Sequence, residues 1–356
     1  MTLGCLAKPR RRHGTVRTEF YSRLADKAYE RRVPLMATLE LTYGCNMRCV
    51  HCYNPTHEAQ GELTAEEFYR ILDQLAEEGC LFVTFTGGEL FTRKDAFEIF
   101  AYAKGKGFEL ILFTNATTIT VERAERIKAL QPWRMETSLY GATQETYERV
   151  TRIPGSFRQF QRGVELLRQR DIPLLVKMPL LTLNRHEVAQ AKALVEGWGV
   201  RFVYLTGIEP RQDGSREPLG YRLPPAEVLK VNEEMRGKES HDRHEETSCQ
   251  ASEGLFHCRC GKNSLAITPY GEMNLCINFP VPRYDLRRGN VSTGWRTLVA
   301  YVDSAKPSEA YECPSCDLRS DCRQSPLDAW LETKDLSPCL PYFKELATLE
   351  KEKGSV

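Results

Sequence analysis

Six short apolar runs alternate with amphipathic stretches between residues 35 and 206, and this alternation constrains the fold more than any other feature. The runs have the composition of strands and cover 35–42, 81–86, 109–114, 133–140, 174–181 and 201–206. Strands that alternate with helices form parallel sheets with right-handed crossovers. The pattern therefore predicts an α/β fold, either an open sheet or a partial barrel, with its site at the carboxyl ends of the strands.

Capping residues mark where several of the intervening helices begin. Thr64 precedes a helical pattern that has Glu67 at the capping-box position and Gly79 at its end. Thr120 and Thr143 stand at the starts of two further helical stretches. These signals predict helices on the outside of the sheet, between consecutive strands.

The bulk composition excludes several classes of protein. The chain has 356 residues, of which 41% are hydrophobic and 27% charged, as in ordinary globular proteins. Its net charge of +1 gives no broad attraction to nucleic acid or to an acidic membrane surface. We find no secretory signal and no apolar run of the roughly 18–20 residues that span a bilayer. We therefore expect a cytoplasmic protein with neither nucleic acid nor membrane as partner.

The cysteines are numerous and clustered. Of 13 cysteines, three lie at 45–52 and eight lie between 249 and 339. Without a secretory signal, a disulfide framework explains them poorly. Clusters of thiols in a reducing compartment indicate metal sites instead.

The densest cluster follows the first predicted strand in the stretch "GCNMRCVHCYNP". Cys45, Cys49 and Cys52 have the spacing C-x3-C-x2-C, whereas structural zinc sites need four ligands, usually as two close pairs. His51 is near but lies between two of the cysteines, which makes it an awkward fourth ligand. A [4Fe–4S] cluster held by three thiolates would keep one iron open for a substrate or cofactor.

Polar loops follow the other predicted strands as well. The stretches "TGGE" at 86–89, "TNA" at 114–116 and "SLYG" at 138–141 end the second, third and fourth strands, and the loop 207–218 follows the sixth. Because the carboxyl ends of parallel strands share one edge, we expect these loops to converge with the cysteine triplet. Each loop taken alone is equally compatible with an ordinary turn.

Together, the triplet and the sequence Gly87-Gly88-Glu89 resemble the radical S-adenosylmethionine (SAM) superfamily, over about residues 35–210. The resemblance implies a partial (β/α)6 TIM-like barrel and a [4Fe–4S] cluster on Cys45, Cys49 and Cys52. It implies that SAM binds the open iron. One electron from the cluster then cleaves SAM to a 5′-deoxyadenosyl radical, which abstracts hydrogen from a substrate.

The resemblance also implies a set of SAM contacts. Gly87 and Gly88 would let the backbone approach SAM closely, and the Glu89 carboxylate would pair with its ammonium group. Further contacts are expected from His51 near the adenine, from side chains at two strand ends near the ribose or carboxylate, and from a lysine on the fifth strand: Asn115, Ser138 and Lys177. A lysine that merely extends from a strand end to solvent is equally compatible with the sequence.

The C-terminal cysteines resemble the SPASM extension of radical SAM enzymes, over about residues 255–345. The shared pattern is Cys260-x10-Gly271-x4-Cys276, then Cys313-x2-Cys316-x5-Cys322, then Cys339. The extension usually binds two auxiliary [4Fe–4S] clusters. The resemblance implies one complete auxiliary site whose ligands are Cys313, Cys316, Cys322 and Cys339.

The other auxiliary site lacks a ligand. Cys258, Cys260 and Cys276 would supply three thiolates, but the cysteine that the family carries shortly after Cys322 is absent. Ser325 or Pro326 stands there instead, and Cys249 is a spare thiol. The site is therefore complete through Cys249, open, smaller or absent, and zinc is a further alternative. We thus expect one or two auxiliary clusters.

These patterns divide the chain into a basic N-terminal extension (1–34), a radical SAM partial barrel (35–222), a linker helix and loop (223–254), a small cysteine-rich iron–sulfur domain (255–345) and a tail (346–356). The cysteine-rich domain is expected to form around metal more than around an apolar core. Its segment 262–278 is predicted as a hairpin with Tyr270-Gly271 at the turn.

Radical SAM enzymes with this extension most often modify peptides or proteins, which makes a peptide or small protein the expected substrate. Maturation of a small-molecule cofactor such as a modified tetrapyrrole is an alternative, and an iron–sulfur electron-transfer protein is another. We expect an external electron donor such as flavodoxin or ferredoxin. The 34 residues before the first strand are too few for a peptide-recognition domain, so a separate leader-peptide-binding protein is a further expected partner. The loop 207–218, with Arg211, Asp213 and Arg216, is predicted to contact substrate.

Overall fold

The computed structural model describes residues 15–236, 255–256 and 258–354. Six parallel strands lie side by side in chain order, and each of the six predicted runs overlaps one of them. The strands are β1 (Met36–Thr42), β2 (Phe82–Gly87), β3 (Glu109–Thr114), β4 (Arg134–Ser138), β5 (Leu174–Pro179) and β6 (Arg201–Leu205). The predicted α/β fold with a partial, unclosed barrel is confirmed.

The structure describes eleven α-helices, of which the second to the seventh connect these six strands. They are α1 (Thr15–Glu30), α2 (Ala65–Glu77), α3 (Ala96–Gly105), α4 (Val121–Leu130), α5 (Gln144–Thr151), α6 (Ser156–Arg168), α7 (Val188–Gly197), α8 (Pro225–Arg236), α9 (Val291–Ser304), α10 (Pro326–Thr333) and α11 (Pro341–Gly354). Thr64, Thr120 and Thr143 each accept a hydrogen bond from the first turn of a helix, so the predicted starts are confirmed. None of the described helices is long and apolar enough to cross a membrane.

The two faces of β1 differ in chemistry. All seven of its residues are buried, but Leu39 and Leu41 belong to the main apolar core that the helices cover. Successive side chains of a strand point to opposite faces, so Thr38, Glu40 and Thr42 face the inside of the barrel. The interior of the barrel is therefore polar at β1, and the side chains there are hydroxyls and a carboxylate instead of apolar groups.

The predicted hairpin of the cysteine-rich region forms, and it extends the barrel sheet. β7 (Ser264–Ile267) and β8 (Glu272–Asn274) are antiparallel, and β9 (Tyr284–Asp285) pairs with β8. β7 also pairs in parallel with β1, which gives one nine-stranded sheet. Its apolar side chains lie in the same core as the barrel helices, so this half of the region packs on the barrel and not only around metal. The sequence did not predict this, because either edge of β1 is available for pairing.

The base of the barrel is covered by α1, a helix that the sequence did not predict. Ala25 and Ala28 of α1 pack with Met36 and Phe82 at the start of β1 and β2. Asn263, just before β7, donates a hydrogen bond to the Ala25 carbonyl (2.9 Å). The basic residues 10–12 and the loop 237–254 lie outside the described residues.

The start of α2 at Thr64 can be tested through its capping box. Replacing Thr64 with Ala removes the acceptor for the Glu67 amide (3.2 Å). We expect this variant to lose about 1 kcal/mol of unfolding free energy, measured by urea denaturation. Thr64→Ser keeps the acceptor and is the control; an equal loss in both variants would contradict the capping role.

Candidate functional site

The cysteine triplet lies on a loop that two apolar side chains anchor. Met47 and Val50 are buried in the main core, 1% and 3% exposed, whereas the three cysteines between and beside them are half-buried. The amide of Val50 donates to the Val150 carbonyl at the end of α5 (3.0 Å). Met47 and Val50 thus anchor the loop in the core, and the three thiols remain available as ligands.

The thiols of this loop suit a cationic metal centre. All eleven described cysteines are free. Burial raises the pKa of Cys45 to about 12 and also raises the pKa of Cys49 and Cys52, and the thiolates of the triplet oppose each other's ionisation. Buried thiolates need a compensating cation, and bound metal deprotonates a coordinating thiol. Within the described residues, no three potential ligands are arranged around a single ion; in an iron–sulfur cluster each thiolate binds a different iron.

The glycine-rich loop after β2 packs directly on the cysteine loop. The amide of Gly88 donates to the Thr42 carbonyl (2.7 Å), and the amide of Glu89 donates to the Gly44 carbonyl (2.9 Å). A Cβ on Gly88 would lie 2.6 Å from the Tyr43 carbonyl oxygen and still closer to that of Gly44. The glycines are thus required where two backbone loops approach each other; their predicted approach to SAM stays a prediction.

The Glu89 side chain connects two strand ends within the protein. Its carboxylate is fully buried and accepts hydrogen bonds from the Thr114 hydroxyl (2.8 Å) and the Asn115 amide (2.7 Å). It therefore joins the ends of β2 and β3; the predicted pairing of this carboxylate with the SAM ammonium stays a prediction. The Asn115 side chain in turn donates to Asn46 of the cysteine loop (2.9 Å).

Lys177 is also engaged within the protein. Its ammonium lies 2.6 Å from the Glu136 carboxylate and above the Phe113 ring. Burial raises the pKa of Glu136, but Lys177 and Arg134 outweigh this effect and hold it below the ordinary value. Lys177 thus pairs with a strand neighbour, and its predicted contact with the SAM carboxylate stays a prediction. The partner was missed because Glu136 is distant in sequence.

The other two predicted SAM contacts lie at the same edge of the barrel. Ser138 ends β4 opposite Lys177. The His51 ring lies 5.2 Å from the Tyr140 ring, between centroids. Burial lowers the pKa of His51 to about 4, so the imidazole is neutral at pH 7. Its Nδ1 atom is buried and has no hydrogen-bond partner among the described residues.

A buried carboxylate that the sequence interpretation missed lies between the two groups of cysteines. Glu40 of β1 is fully buried and lies within hydrogen-bonding distance of the Tyr43 hydroxyl (3.1 Å) and the Tyr53 hydroxyl (3.2 Å). Tyr43 also donates to the side-chain oxygen of Gln212 (2.8 Å), and the Gln212 nitrogen donates to the Ile277 carbonyl (2.7 Å). The chain of contacts runs from Tyr53, next to Cys52, to Ile277, next to Cys276.

The number of hydrogens in this chain assigns a proton to Glu40. Tyr43 has one hydroxyl hydrogen, and the Gln212 oxygen accepts it because the Gln212 nitrogen is turned toward Ile277. The contact between Tyr43 and Glu40 then needs a proton on Glu40. Burial raises the pKa of Glu40 to about 8, in agreement with this count. A lone acidic residue in the apolar run "LEL" was the available sequence signal.

The C-terminal cysteines form two groups. The neighbouring thiols of Cys258 and Cys276 raise the pKa of Cys260, so the three predicted ligands of the incomplete site lie close together. Burial raises the pKa of Cys322 and of Cys339, and the charges of Cys313 and Cys316 raise both further. The four predicted ligands of the second site therefore lie near one another. Which metals these groups hold stays a prediction.

The missing ligand has a structural counterpart. Ser325 caps the N-terminus of α10, where its hydroxyl accepts from the Asp328 amide (3.3 Å) and donates to the Asp328 carboxylate (2.8 Å). Ser325 is therefore occupied as a helix cap. The spare thiol Cys249 lies outside the described residues.

The loop after β6 brings a different residue to the site from those predicted. Arg211 pairs with Glu217 (2.9 Å), Arg216 pairs with Glu332 (3.0 Å), and the Asp213 carboxylate accepts from the Ser215 amide (2.9 Å). Gln212 is the residue that points to Tyr43 and Ile277. Substrate contact by the three charged side chains stays a prediction.

Comparison with known proteins agrees with this geometry. The family model of the radical SAM superfamily matches residues 39–195, which include the end of β1, the cysteine loop, the glycine-rich loop and β2 to β5. The chain belongs to the radical SAM superfamily. The match ends before β6, so it does not include the C-terminal cysteines.

Curated radical SAM relatives fall into two groups by their names. The chain is 34% identical over 183 residues to the AdoMet-dependent heme synthase of Methanosarcina barkeri, and 30% identical over 262 residues to the subtilosin biosynthesis protein AlbA of Bacillus subtilis. The matches cover 51% and 70% of this chain, and about half of each relative, 52% and 56%. The mycofactocin maturase MftC of Mycobacterium ulcerans is 28% identical over 314 residues, 82% of each chain.

Solved structures share the fold over almost the whole chain. Streptococcus suis SuiB bound to S-adenosylmethionine superposes with a TM-score of 0.68 and 14% identity, over 94% of this chain and 82% of that one. A structure of anSMEcpe with bound AdoMet gives 0.65 and 15% identity, over 90% and 95%. At these identities the likeness shows the fold, and its coverage includes most of the cysteine-rich region.

The contact between the two loops of this radical SAM domain can be tested with Gly88→Ala. The new Cβ would push the Gly44 and Tyr43 backbone away, which displaces Cys45. We expect lower iron content after anaerobic reconstitution and a loss of about 1–3 kcal/mol of stability, as overpacking typically costs. Gly105→Ala, with no atom within 4 Å of the new Cβ, is the control. Normal iron content in Gly88→Ala would contradict the assignment.

The proton on Glu40 predicts a pH dependence. The native state keeps this proton up to about pH 8, whereas the unfolded chain releases it near 4.5, so this group makes the fold less stable as pH rises between those values. The slope is at most about 1.4 kcal/mol per pH unit. Glu40→Gln mimics the neutral acid. The apparent melting temperature of this variant, relative to that of the native protein, should therefore rise from pH 6 to pH 8. The exposed Glu217→Gln is the control, and parallel curves for Glu40→Gln would refute the proton assignment.

Proposed function

We propose that this radical SAM protein modifies a peptide or small-protein substrate held between its two groups of cysteines. The observation that carries the proposal is the pairing of β7 with β1. It joins the strand that leads to Cys45 to the hairpin that leads to Cys276, with Glu40, Tyr43 and Gln212 between them. A substrate at the barrel mouth would then meet both groups.

In this proposal Cys45, Cys49 and Cys52 hold a [4Fe–4S] cluster, and SAM binds beside them at the strand ends. Once bound and reduced, the cluster and SAM supply a radical that abstracts hydrogen from the substrate. His51, neutral at this site, and the glycine-rich loop orient SAM through apolar and backbone contacts. A protein donor such as flavodoxin or ferredoxin delivers the electron in the cytoplasm, and a separate protein binds the leader peptide.

A peptide substrate is favoured by the relatives that resemble most of the chain. MftC, matched over 82% of its length, is named a maturase, and SuiB superposes over 95% of this chain in a structure with its precursor peptide SuiA. These likenesses extend into the cysteine-rich region, where a substrate would be held. They support the substrate class and leave the reaction open.

Maturation of a tetrapyrrole is the second candidate. Its support is the 34% identity to the heme synthase of Methanosarcina barkeri, but that match covers only 51% of this chain. A match over half of the chain supports mainly the radical chemistry that the heme synthase and the peptide maturases have in common. We therefore rank it below peptide modification.

The test is an anaerobic assay on the full-length, reconstituted protein with SAM and dithionite. Short peptides encoded beside the gene and iron coproporphyrin are offered separately, and 5′-deoxyadenosine and product masses are measured by mass spectrometry. We expect 5′-deoxyadenosine together with a changed peptide mass. Cys49→Ala should abolish both, whereas Cys80→Ala, a buried thiol remote from the loop, should retain them.

The outcomes separate the candidates. Conversion of the porphyrin without any peptide product would replace the proposal by the second candidate. Absence of 5′-deoxyadenosine from protein with an intact cluster would refute radical chemistry and favour an electron-transfer protein.

A further inference from the structure

Four residues beside the cysteine loop form a closed ring of hydrogen bonds. The two oxygens of the Glu40 carboxyl contact the hydroxyls of Tyr43 (3.1 Å) and Tyr53 (3.2 Å). The side-chain oxygen of Gln212, on the loop after β6, accepts from the Tyr43 hydroxyl (2.8 Å). The Gln212 backbone amide donates to the Tyr53 carbonyl (3.0 Å), which closes the ring. Each of the four residues is therefore held by two others.

The ring connects the two ends of the cysteine loop. Tyr43 lies two residues before Cys45, and Tyr53 directly follows Cys52. One side chain on the inner face of β1, Glu40, thus contacts the chain on both sides of the three thiols. The buried apolar side chains described above anchor only the middle of this loop. The ring therefore fixes where the loop begins and ends.

The same ring reaches the hairpin that leads to the C-terminal cysteines. The side-chain nitrogen of Gln212 donates to the carbonyl of Ile277, the residue after Cys276 (2.7 Å). The Tyr43 ring packs edge-on against the ring of Tyr270, in the turn between β7 and β8, with 5.5 Å between centroids. The strands β6 and β1 are not neighbours in the sheet, so Gln212 joins the two ends of the six-stranded barrel through side chains. The cysteine loop, the loop after β6 and the hairpin thus meet at one place.

The ring is shielded from water, which makes its hydrogen bonds mutually dependent. Glu40 is 0% exposed and Tyr43 is 4% exposed. A buried polar network that is fully satisfied makes its surroundings rigid, whereas one that has lost a member is costly. An apolar side chain in place of Glu40 would leave both tyrosine hydroxyls without this partner. The tyrosines would then move to find others, and the ends of the cysteine loop would move with them.

We propose that Glu40 and Gln212 are positioning residues that hold the cysteine loop in the geometry at which its cluster binds and cleaves SAM. The inference rests on the cluster that the proposed function assigns to this loop. Both residues act through the tyrosines at the ends of the loop and need no contact with SAM. Because small displacements of reacting groups lower rates steeply, loss of the ring affects the reaction more than it affects the bound metal.

The experiment uses the full-length chain after anaerobic reconstitution. Glu40→Leu removes both carboxyl contacts at similar size, whereas Glu40→Gln restores them, because its amide oxygen accepts from Tyr53 and its nitrogen donates to Tyr43. Iron per chain, the electron paramagnetic resonance (EPR) spectrum of the reduced protein with and without SAM, and the rate of 5′-deoxyadenosine formation with SAM and dithionite are measured. Thr38→Val, on the same inner face of β1 and outside the ring, is the matched control.

We expect Glu40→Leu to keep the iron content of the parent, to alter the change that SAM produces in the EPR spectrum, and to form 5′-deoxyadenosine about 10- to 100-fold more slowly. Glu40→Gln should restore the spectrum and most of the rate. Tyr53→Phe removes one contact of the ring and should change both measurements in the same direction, by less; it carries the test if Glu40→Leu does not fold. Combining Tyr53→Phe with Glu40→Leu should add little, because both remove the same contact.

Three results would overturn the inference. The first is a spectrum and rate unchanged in both Glu40→Leu and Tyr53→Phe. The second is iron lost in proportion to the rate, which would give the ring a purely structural role. The third is a Glu40→Gln variant as impaired as Glu40→Leu, because the hydrogen bonds of the ring would then not be the cause.

Failure of this inference and failure of the proposed function are distinguishable. A parent protein that forms 5′-deoxyadenosine but modifies no peptide would refute the proposed substrate and leave the comparison of variants intact. A parent that holds its cluster but forms no 5′-deoxyadenosine would refute the radical chemistry, and the EPR spectra with and without SAM would still decide whether the ring positions the loop.

Discussion

The backbone contact between the glycine-rich loop and the cysteine loop is the interaction on which the rest of the site depends. Two amide hydrogen bonds, from Gly88 and Glu89, join the loop after β2 to the loop after β1. Any side chain at Gly88 would prevent this approach. Because the Glu89 carboxylate also binds the end of β3, three strand ends are held as one rigid edge. The thiols are thereby presented from a fixed backbone, as a metal site requires.

The polar interior of the barrel follows from the same arrangement. Apolar residues of the strands are used on the outer face against the helices, which leaves acids and bases to face inward. Glu136 and Lys177 neutralise each other there, whereas Glu40 has tyrosine hydroxyls beside it and forms no ion pair within the part of the chain that the structure describes. The same burial therefore gives an ionised pair at one strand and a protonated acid at another, and the difference is the presence of a counter-charge.

Much of the fold could be predicted from the sequence because its signals are local. Strand runs and capping residues such as Thr64 act within a few residues of chain, and all six strands were found. The cysteine spacings are also local, which is why the triplet and the two C-terminal groups were recognised. The partners that Glu89 and Lys177 have within the protein were not predicted, for the opposite reason. Their partners, Thr114 and Glu136, lie 25 and 41 residues away, and no spacing rule links them.

The sequence by itself determined the alternating barrel, the three-thiol loop and membership of the radical SAM superfamily, since each depends on short spacings. Only the tertiary structure decided that the C-terminal hairpin joins the barrel sheet at β1, and that Glu40 and Gln212 come to lie between the two groups of cysteines. Strand pairing and burial bring together residues that are far apart in the chain. The physical reason is that β1 has two edges and a polar inner face, and what occupies them depends on the packing of the whole chain.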